Sequence, residues 1–257
     1  MNSKLHPDSS RAPRIAIPVP HSGDRAYAER SLPQYEDAVR QAGGEPVRVE
    51  LDQPPAQVSK LIEQCDAVLL PGSRADVDPK KYDAPRHAKT NPADAKRDTV
   101  DWLLLEDAYR SRKPILGICY GLQSLNVFRS GSLVQHIESP INHSAGGKAE
   151  KAHTVEVDAR SHLAEILGAG HPIAVNSSHH QSADAAGKDL RIVAHSPSDR
   201  VVEALEGTAP DHFVLAVQWH PERSVNEGPE VSEPARKIFH AFIEAARAKQ
   251  EASAARK

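Results

Sequence analysis

The chain has 257 residues, 39% of them apolar, 26% charged and 4% aromatic, and 32 basic against 35 acidic side chains leave a net charge of −3. That length suits one large domain or two small ones, with enough chain to bury a real core. The near balance of charge lacks a nucleic-acid footprint and gives no attraction to an anionic membrane, and the longest apolar runs fall far short of the roughly 18 residues of a membrane span. Met1 to Pro13 is polar, without the apolar centre of a secretory signal. Two cysteines, Cys65 and Cys119, cannot build a disulfide framework, so a cytoplasmic protein with reduced thiols is expected.

Arg14 to Val19 is a short β-branched run bounded by prolines and predicts a strand. Leu32 to Ala42 places Tyr35, Ala38, Val39 and Ala42 at helical spacing and stops at Gly43-Gly44. Pro46 to Leu51 alternates as a second strand, and Val58 to Gln64 is a short helix candidate. Cys65 to Leu70 is continuously apolar and closes at Pro71-Gly72, as a strand buried on both faces does. A helix follows over Arg97 to Arg110, then a buried strand over Pro114 to Ile118 and a helix over Tyr120 to Ser130. This rhythm implies βαβ units and a mostly parallel sheet. The second half holds short strands at 153–157, 173–175, 190–195, 201–205 and 213–217, extending the sheet through antiparallel segments before a final helix over 234–248. The expected organisation is one mixed α/β domain over 14–248, with flexible tails at 1–13 and 249–257.

The chemistry concentrates where the strand at 114–118 runs into Gly117-x-Cys119-x-Gly121 and then a helix. This has the form of a nucleophile elbow with cysteine in place of serine. A nucleophile on so sharp a turn is strained, and the flanking glycines supply room. The helix N-terminus is expected to favour thiolate at Cys119, and the Tyr120 N–H to face a developing oxyanion. Taken alone, Cys119 reads more readily as a buried cysteine at a strand end; Cys65, without flanking glycines, reads as structural. A cysteine nucleophile needs a base, and the base an orienting group. Among fourteen histidines, His220 ends an apolar strand, and an extended segment would put Glu222 on its side. His-Pro-Glu by itself reads as a surface turn; opposite an elbow cysteine it becomes the favoured partner. Pro71-Gly72-Ser73 ends another buried strand and offers backbone N–H groups as a second oxyanion donor, although a Pro-Gly exit turn explains it unaided.

Together these segments resemble the class I glutamine-amidotransferase-like hydrolases, more narrowly the γ-glutamyl-γ-aminobutyrate hydrolase group, peptidase family C26. The resemblance rests on AGGEPVRV at 42–49, LLPGSRADVDPKKY at 69–82, KPILGICYGLQSLNV at 113–127, SGSLVQHI at 130–137, VNSSHHQS at 175–182 and LAVQWHPER at 215–223, in family order. It implies a single-domain three-layer α/β sandwich of flavodoxin-like type. It implies a Cys119-His220-Glu222 triad, oxyanion donors at the Ser73 and Tyr120 amides, and substrate contacts from Gly72, Gln123, Asn176, Ser178 and His179. Ser73 departs from the glycine common at its position, which a backbone donor tolerates. His179-His180 could suggest a metal, but no third ligand at diagnostic spacing accompanies the pair. No metal and no cofactor are therefore expected.

The implied activity is hydrolysis of γ-glutamyl-γ-aminobutyrate or a related γ-glutamyl amine through a glutamyl thioester, with polyamine breakdown as the family setting. A glutaminase subunit passing ammonia to a synthetase partner and a non-catalytic scaffold on the same fold are the alternatives. The expected partner is a small γ-glutamyl substrate, with neither nucleic acid nor membrane. Composition leaves the oligomeric state open, a homodimer included. Loops 21–30, 86–95 and 141–151 are where leaving-group specificity would reside.

Overall fold

The computed structural model describes residues 11–146, 151–168 and 172–254; the expectations placed on 1–10, on 147–150 within the loop 141–151, and on 255–257 lie outside them. The first half alternates strand and helix: β1 (Arg14–Pro18), α1 (Arg25–Gln41), β2 (Glu45–Val49), α2 (Pro55–Glu63), β3 (Ala67–Leu70), α3 (Ala95–Ser111), β4 (Ile115–Ile118) and α4 (Tyr120–Phe128). The second half is richer in strands: β5 (Leu133–Val134), β6 (His153–Val157), α5 (His162–Leu167), β7 (Ile173–Val175), β8 (Ser182–Ala183), β9 (Leu190–His195), β10 (Val202–Gly207) and β11 (Val214–Val217). Two helices, α6 (Pro221–Ser224) and α7 (Pro229–Ala254), close the chain.

Among the described residues nine strands form one sheet in the order β2-β1-β3-β4-β11-β10-β9-β6-β7. The first five run parallel, and β10, β9, β6 and β7 continue it antiparallel, as the change of pattern along the sequence implies. Side chains alternate across the parallel part with a period of two. Ile15, Ile17, Leu69, Leu116 and Val217 meet Tyr35 of α1 and Phe239 and Phe242 of α7. Ala16, Val68, Leu70, Ile115 and Ala216 meet Ile62, Leu104 and Leu122 from α2, α3 and α4. Both faces are therefore covered, and the three-layer α/β sandwich expected from the sequence is the architecture found. Among the described residues no helix is long and apolar enough to cross a membrane.

Six elements differ from expectation. Helix α1 starts at Arg25 rather than Leu32, because the Asp24 carboxylate caps it by accepting from the Tyr27 N–H. Pro33 sits inside that helix, and the carbonyl it leaves unbonded, at Glu29, belongs to an exposed residue that water can serve. Helix α7 runs on to Ala254, so residues 249–254 are helical rather than a flexible tail. The short elements β5, β8, α5 and α6 hold two to six residues each, too few for a period to register.

Candidate active site

Strand β4 delivers Cys119 to the N-terminus of α4 with φ 54° and ψ −106°, a conformation costly for any residue with a Cβ. The turn survives because its neighbours have none. A Cβ on Gly117 would stand 2.9 Å from the Gly121 carbonyl oxygen, and one on Gly121 only 2.1 Å from the Leu70 carbonyl oxygen. The elbow thus presses directly on the end of β3. The Cys119 N–H donates to the Val217 carbonyl at 2.8 Å, which ties the elbow to the strand that carries His220.

His220 caps α6, and Glu222 lies in that helix's first turn, so the extended geometry expected for the pair is not what joins them. The short helix brings them together instead: His220 Nδ1 and Glu222 Oε1 are 2.8 Å apart. Both side chains are buried, at 2% and 1% exposure, which shields the bond from water. Holding Nδ1–H on the carboxylate leaves Nε2 as the acceptor. Gly72 lies between this ring and the cysteine: a Cβ there would be 3.0 Å from His220 Cε1 and 3.6 Å from Cys119 Cβ.

The Gly72 N–H is committed to Tyr35 Oη at 3.0 Å, and Gly72 does not line the pocket, so a spacer role replaces the substrate contact expected of it. The Ser73 amide makes no hydrogen bond among the described residues, and Ser73 does line the pocket. Its side-chain Oγ accepts from the Ala75 N–H at 3.1 Å and so stabilises the turn. The Tyr120 N–H lies against the cysteine sulfur. Behind these amides is a buried polar frame that no sequence motif marks. Fully buried Arg97 pairs with Asp101 at 2.6 Å and donates to the Pro20 and Pro71 carbonyls at 3.0 and 2.7 Å. Tyr120 Oη donates to Asp98 at 2.6 Å. These bonds fix the Pro71 turn and the elbow relative to one another.

Burial pushes the Cys119 thiol up to about 12, against the pull of Arg223 and the Tyr120 N–H. Burial at this depth works against the thiolate that the helix N-terminus favours. Burial also lowers His220 below its ordinary value, with Arg223 acting in the same direction and Glu222 opposing it. Burial works to raise Glu222, but His220 and Arg223 bring it below the usual carboxylate value. Burial thus disfavours the charged form of both the thiol and the imidazole. Arg223, with Nε 3.5 Å from Glu222, touches all three electrostatically; its place directly after His-Pro-Glu was the available signal.

Cys119, Tyr120, Ser73, His220 and Glu222 share one cavity of about 870 Å³. Gln123, Ser178 and His179 line it as well. His179 turns both ring nitrogens elsewhere, Nδ1 to the Gln181 carbonyl at 3.0 Å and Nε2 toward Glu203 at 3.5 Å, so it offers substrate only its ring edge. Asn176 does not reach the cavity. Its amide donates to the His220 carbonyl at 2.7 Å and Ser224 Oγ at 2.6 Å, and its oxygen accepts from the His220 N–H at 3.1 Å. The expected substrate ligand is a clamp behind the histidine.

A family model described as Peptidase C26 matches residues 18–222. The chain is 31% identical over 246 residues to the gamma-glutamyl-gamma-aminobutyrate hydrolase of Escherichia coli K12, covering 91% of this chain and 93% of that one. It is 33% identical over 194 residues to protein NtpR of Enterococcus hirae, covering 73% and 79% respectively. A Rickettsia prowazekii protein named as glutamine amidotransferase-like is 28% identical over 255 residues, 83% of this chain and 88% of its own length. Among solved structures, a protein from Thermoplasma acidophilum described as a GMP synthase subunit superposes with a TM-score of 0.66 at 18% identity, over 95% of this chain and 98% of that one. At that identity the match speaks for the fold alone.

Proposed function

The chain belongs to the peptidase C26 family, and on that premise we propose that it is a cysteine-dependent hydrolase of γ-glutamyl amides, with γ-glutamyl-γ-aminobutyrate or a related γ-glutamyl amine as substrate. The observation that carries this is a strained Cys119 opening into the same cavity as His220, whose ring is held by Glu222 at 2.8 Å.

His220 Nε2 takes the thiol proton as Cys119 Sγ attacks the γ-carbonyl carbon, so no standing thiolate is needed. The oxygen that gains the charge is held by the Ser73 and Tyr120 N–H groups; losing one such donor costs roughly 3–4 kcal/mol of barrier. Collapse breaks the C–N bond, and the amine leaves with the proton that His220 returns. Water, deprotonated by the same ring, then hydrolyses the glutamyl thioester. Glu222 keeps Nδ1–H in place and balances the imidazolium formed twice per cycle.

The test is glutamate release by the purified protein from γ-glutamyl-γ-aminobutyrate, glutamine and a γ-glutamyl anilide, beside Cys119→Ala. Turnover of the first substrate that disappears in the variant supports the proposal; equal turnover by Cys119→Ala refutes it. The second reading, a glutaminase subunit serving a synthetase, draws on the relatives named glutamine amidotransferase-like. It predicts weak hydrolysis of glutamine alone and a gain when a synthetase partner is added.

A further inference from the structure

Beside the cavity, His143, His153, His179 and Glu203 come together from four separate segments, with their ligand atoms within 4.8 Å of one another. His143 follows β5, His153 opens β6, His179 lies between β7 and β8, and Glu203 belongs to β10. Their side chains are 5% exposed or less. Glu203 Oε1 stands 3.2 Å from His143 Nδ1 and 3.5 Å from both His153 Nε2 and His179 Nε2. Yet those three nitrogens and both Glu203 oxygens are buried without a hydrogen bond of acceptable geometry.

The outward nitrogens explain why. His153 Nδ1 lies 3.1 Å from the Thr154 carbonyl, His179 Nδ1 3.0 Å from the Gln181 carbonyl, and His143 Nε2 2.8 Å from Asp199 Oδ2. Each of these partners is an acceptor, so each outward nitrogen carries a proton, and a neutral ring then presents its lone pair inward. Three lone pairs and a buried carboxylate then converge on one point, and a cation at that point satisfies all four together. An acceptor behind each imidazole is the usual support of a metal-binding histidine. The three distances from Glu203 Oε1 also fit: four ligands at roughly 2.0–2.1 Å around a tetrahedral ion stand about 3.3–3.4 Å apart.

We propose that His143, His153, His179 and Glu203 form a closed four-coordinate site for a divalent transition-metal ion, zinc being the ion best suited to three imidazoles and one carboxylate. Four protein ligands leave no open position, so the ion is structural rather than a Lewis acid for the reaction. What it organises is one wall of the cavity. The His143 carbonyl accepts from the His179 N–H at 2.9 Å and Ser177 Oγ at 2.6 Å, and Ser144 Oγ donates to the His179 carbonyl at 2.8 Å. Ser144, Ser178, His179 and Gln181 on these two loops face the cavity. No spacing around His179-His180 betrays the site, because its partners lie on other segments and only the sheet brings them together.

The experiment is metal analysis of the full chain, purified without a histidine tag, stripped with chelator and dialysed against low-micromolar zinc, with cobalt as a spectroscopic substitute. The wild type should take up about one ion per chain, and bound cobalt should show the intense visible bands of a four-coordinate site. Cys119→Ala should keep the ion while losing glutamate release, which separates this proposal from the catalytic one. His153→Ala and Glu203→Gln should lose the ion, and Asp199→Asn, which takes the charge from the acceptor behind His143, should weaken binding roughly 10–100-fold. Wild-type protein that takes up no ion overturns the proposal without reference to any variant. So does uptake that survives both His153→Ala and Glu203→Gln, since the ion would then sit elsewhere.

Discussion

Replacing Asn176 by alanine separates a residue that positions His220 from one that touches substrate. The substitution removes three hydrogen bonds, at 2.7 Å to the His220 carbonyl, 2.6 Å to Ser224 Oγ and 3.1 Å from the His220 N–H. Two of them hold the backbone of a histidine that is itself only 2% exposed. A buried backbone group left without a partner costs about 1–3 kcal/mol, so the two together put the loss of stability at about 2–6 kcal/mol. Part of that strain is relieved by moving the ring, and a ring moved by a fraction of an ångström no longer meets the thiol proton. Steady-state glutamate release should therefore show kcat reduced by about 10²-fold with KM little changed. Urea unfolding of the same variant should show the lower midpoint. A raised KM with kcat intact would refute this reasoning, because it would mean that the Asn176 side chain binds substrate after all.

Three further outcomes follow from the same geometry. His220 must be neutral to accept the thiol proton, and its folded value lies below 6.5, so kcat/KM should hold as pH falls through 6.5 and decline only beneath it; half-loss at or above 6.5 would contradict this. Arg97→Met leaves Asp101 buried without its cation and strips the Pro20 and Pro71 carbonyls of their donors; urea unfolding should register a loss of about 3–5 kcal/mol, and a change under about 1 kcal/mol would count against the frame. Gly121→Ala puts a Cβ 2.1 Å from the Leu70 carbonyl oxygen, backbone that cannot swing aside, so soluble folded protein should be lost; a variant with wild-type circular dichroism and melting temperature would refute the close approach.

The local features of this protein were legible along the chain because short-range forces set them. The buried strands at 67–70, 115–118 and 214–217 announce themselves as apolar runs ended by turns. The elbow is readable because its steric demand falls on Gly117 and Gly121, two residues either side of the cysteine. His220 and Glu222 were identifiable from sequence neighbourhood, although a helical turn and not an extended strand joins them.

Long-range proximity and burial lie beyond such reading. Whether Asn176 faces the cavity or the back of His220 depends on how β7 and α6 pack, and their residues are 44 positions apart in sequence. The upward push on the Cys119 thiol comes from the depth at which the layers enclose it, which no local pattern reports. Glu203 and His143 acquire their neighbours only through the antiparallel half of the sheet. Sequence determined the fold class and marked the elbow cysteine and the His-Pro-Glu turn, since periodicity, turn chemistry and steric room are local properties. Tertiary structure alone decided the direction each side chain faces, the charge it carries and the distant partners it meets, because those depend on what the whole chain packs around it.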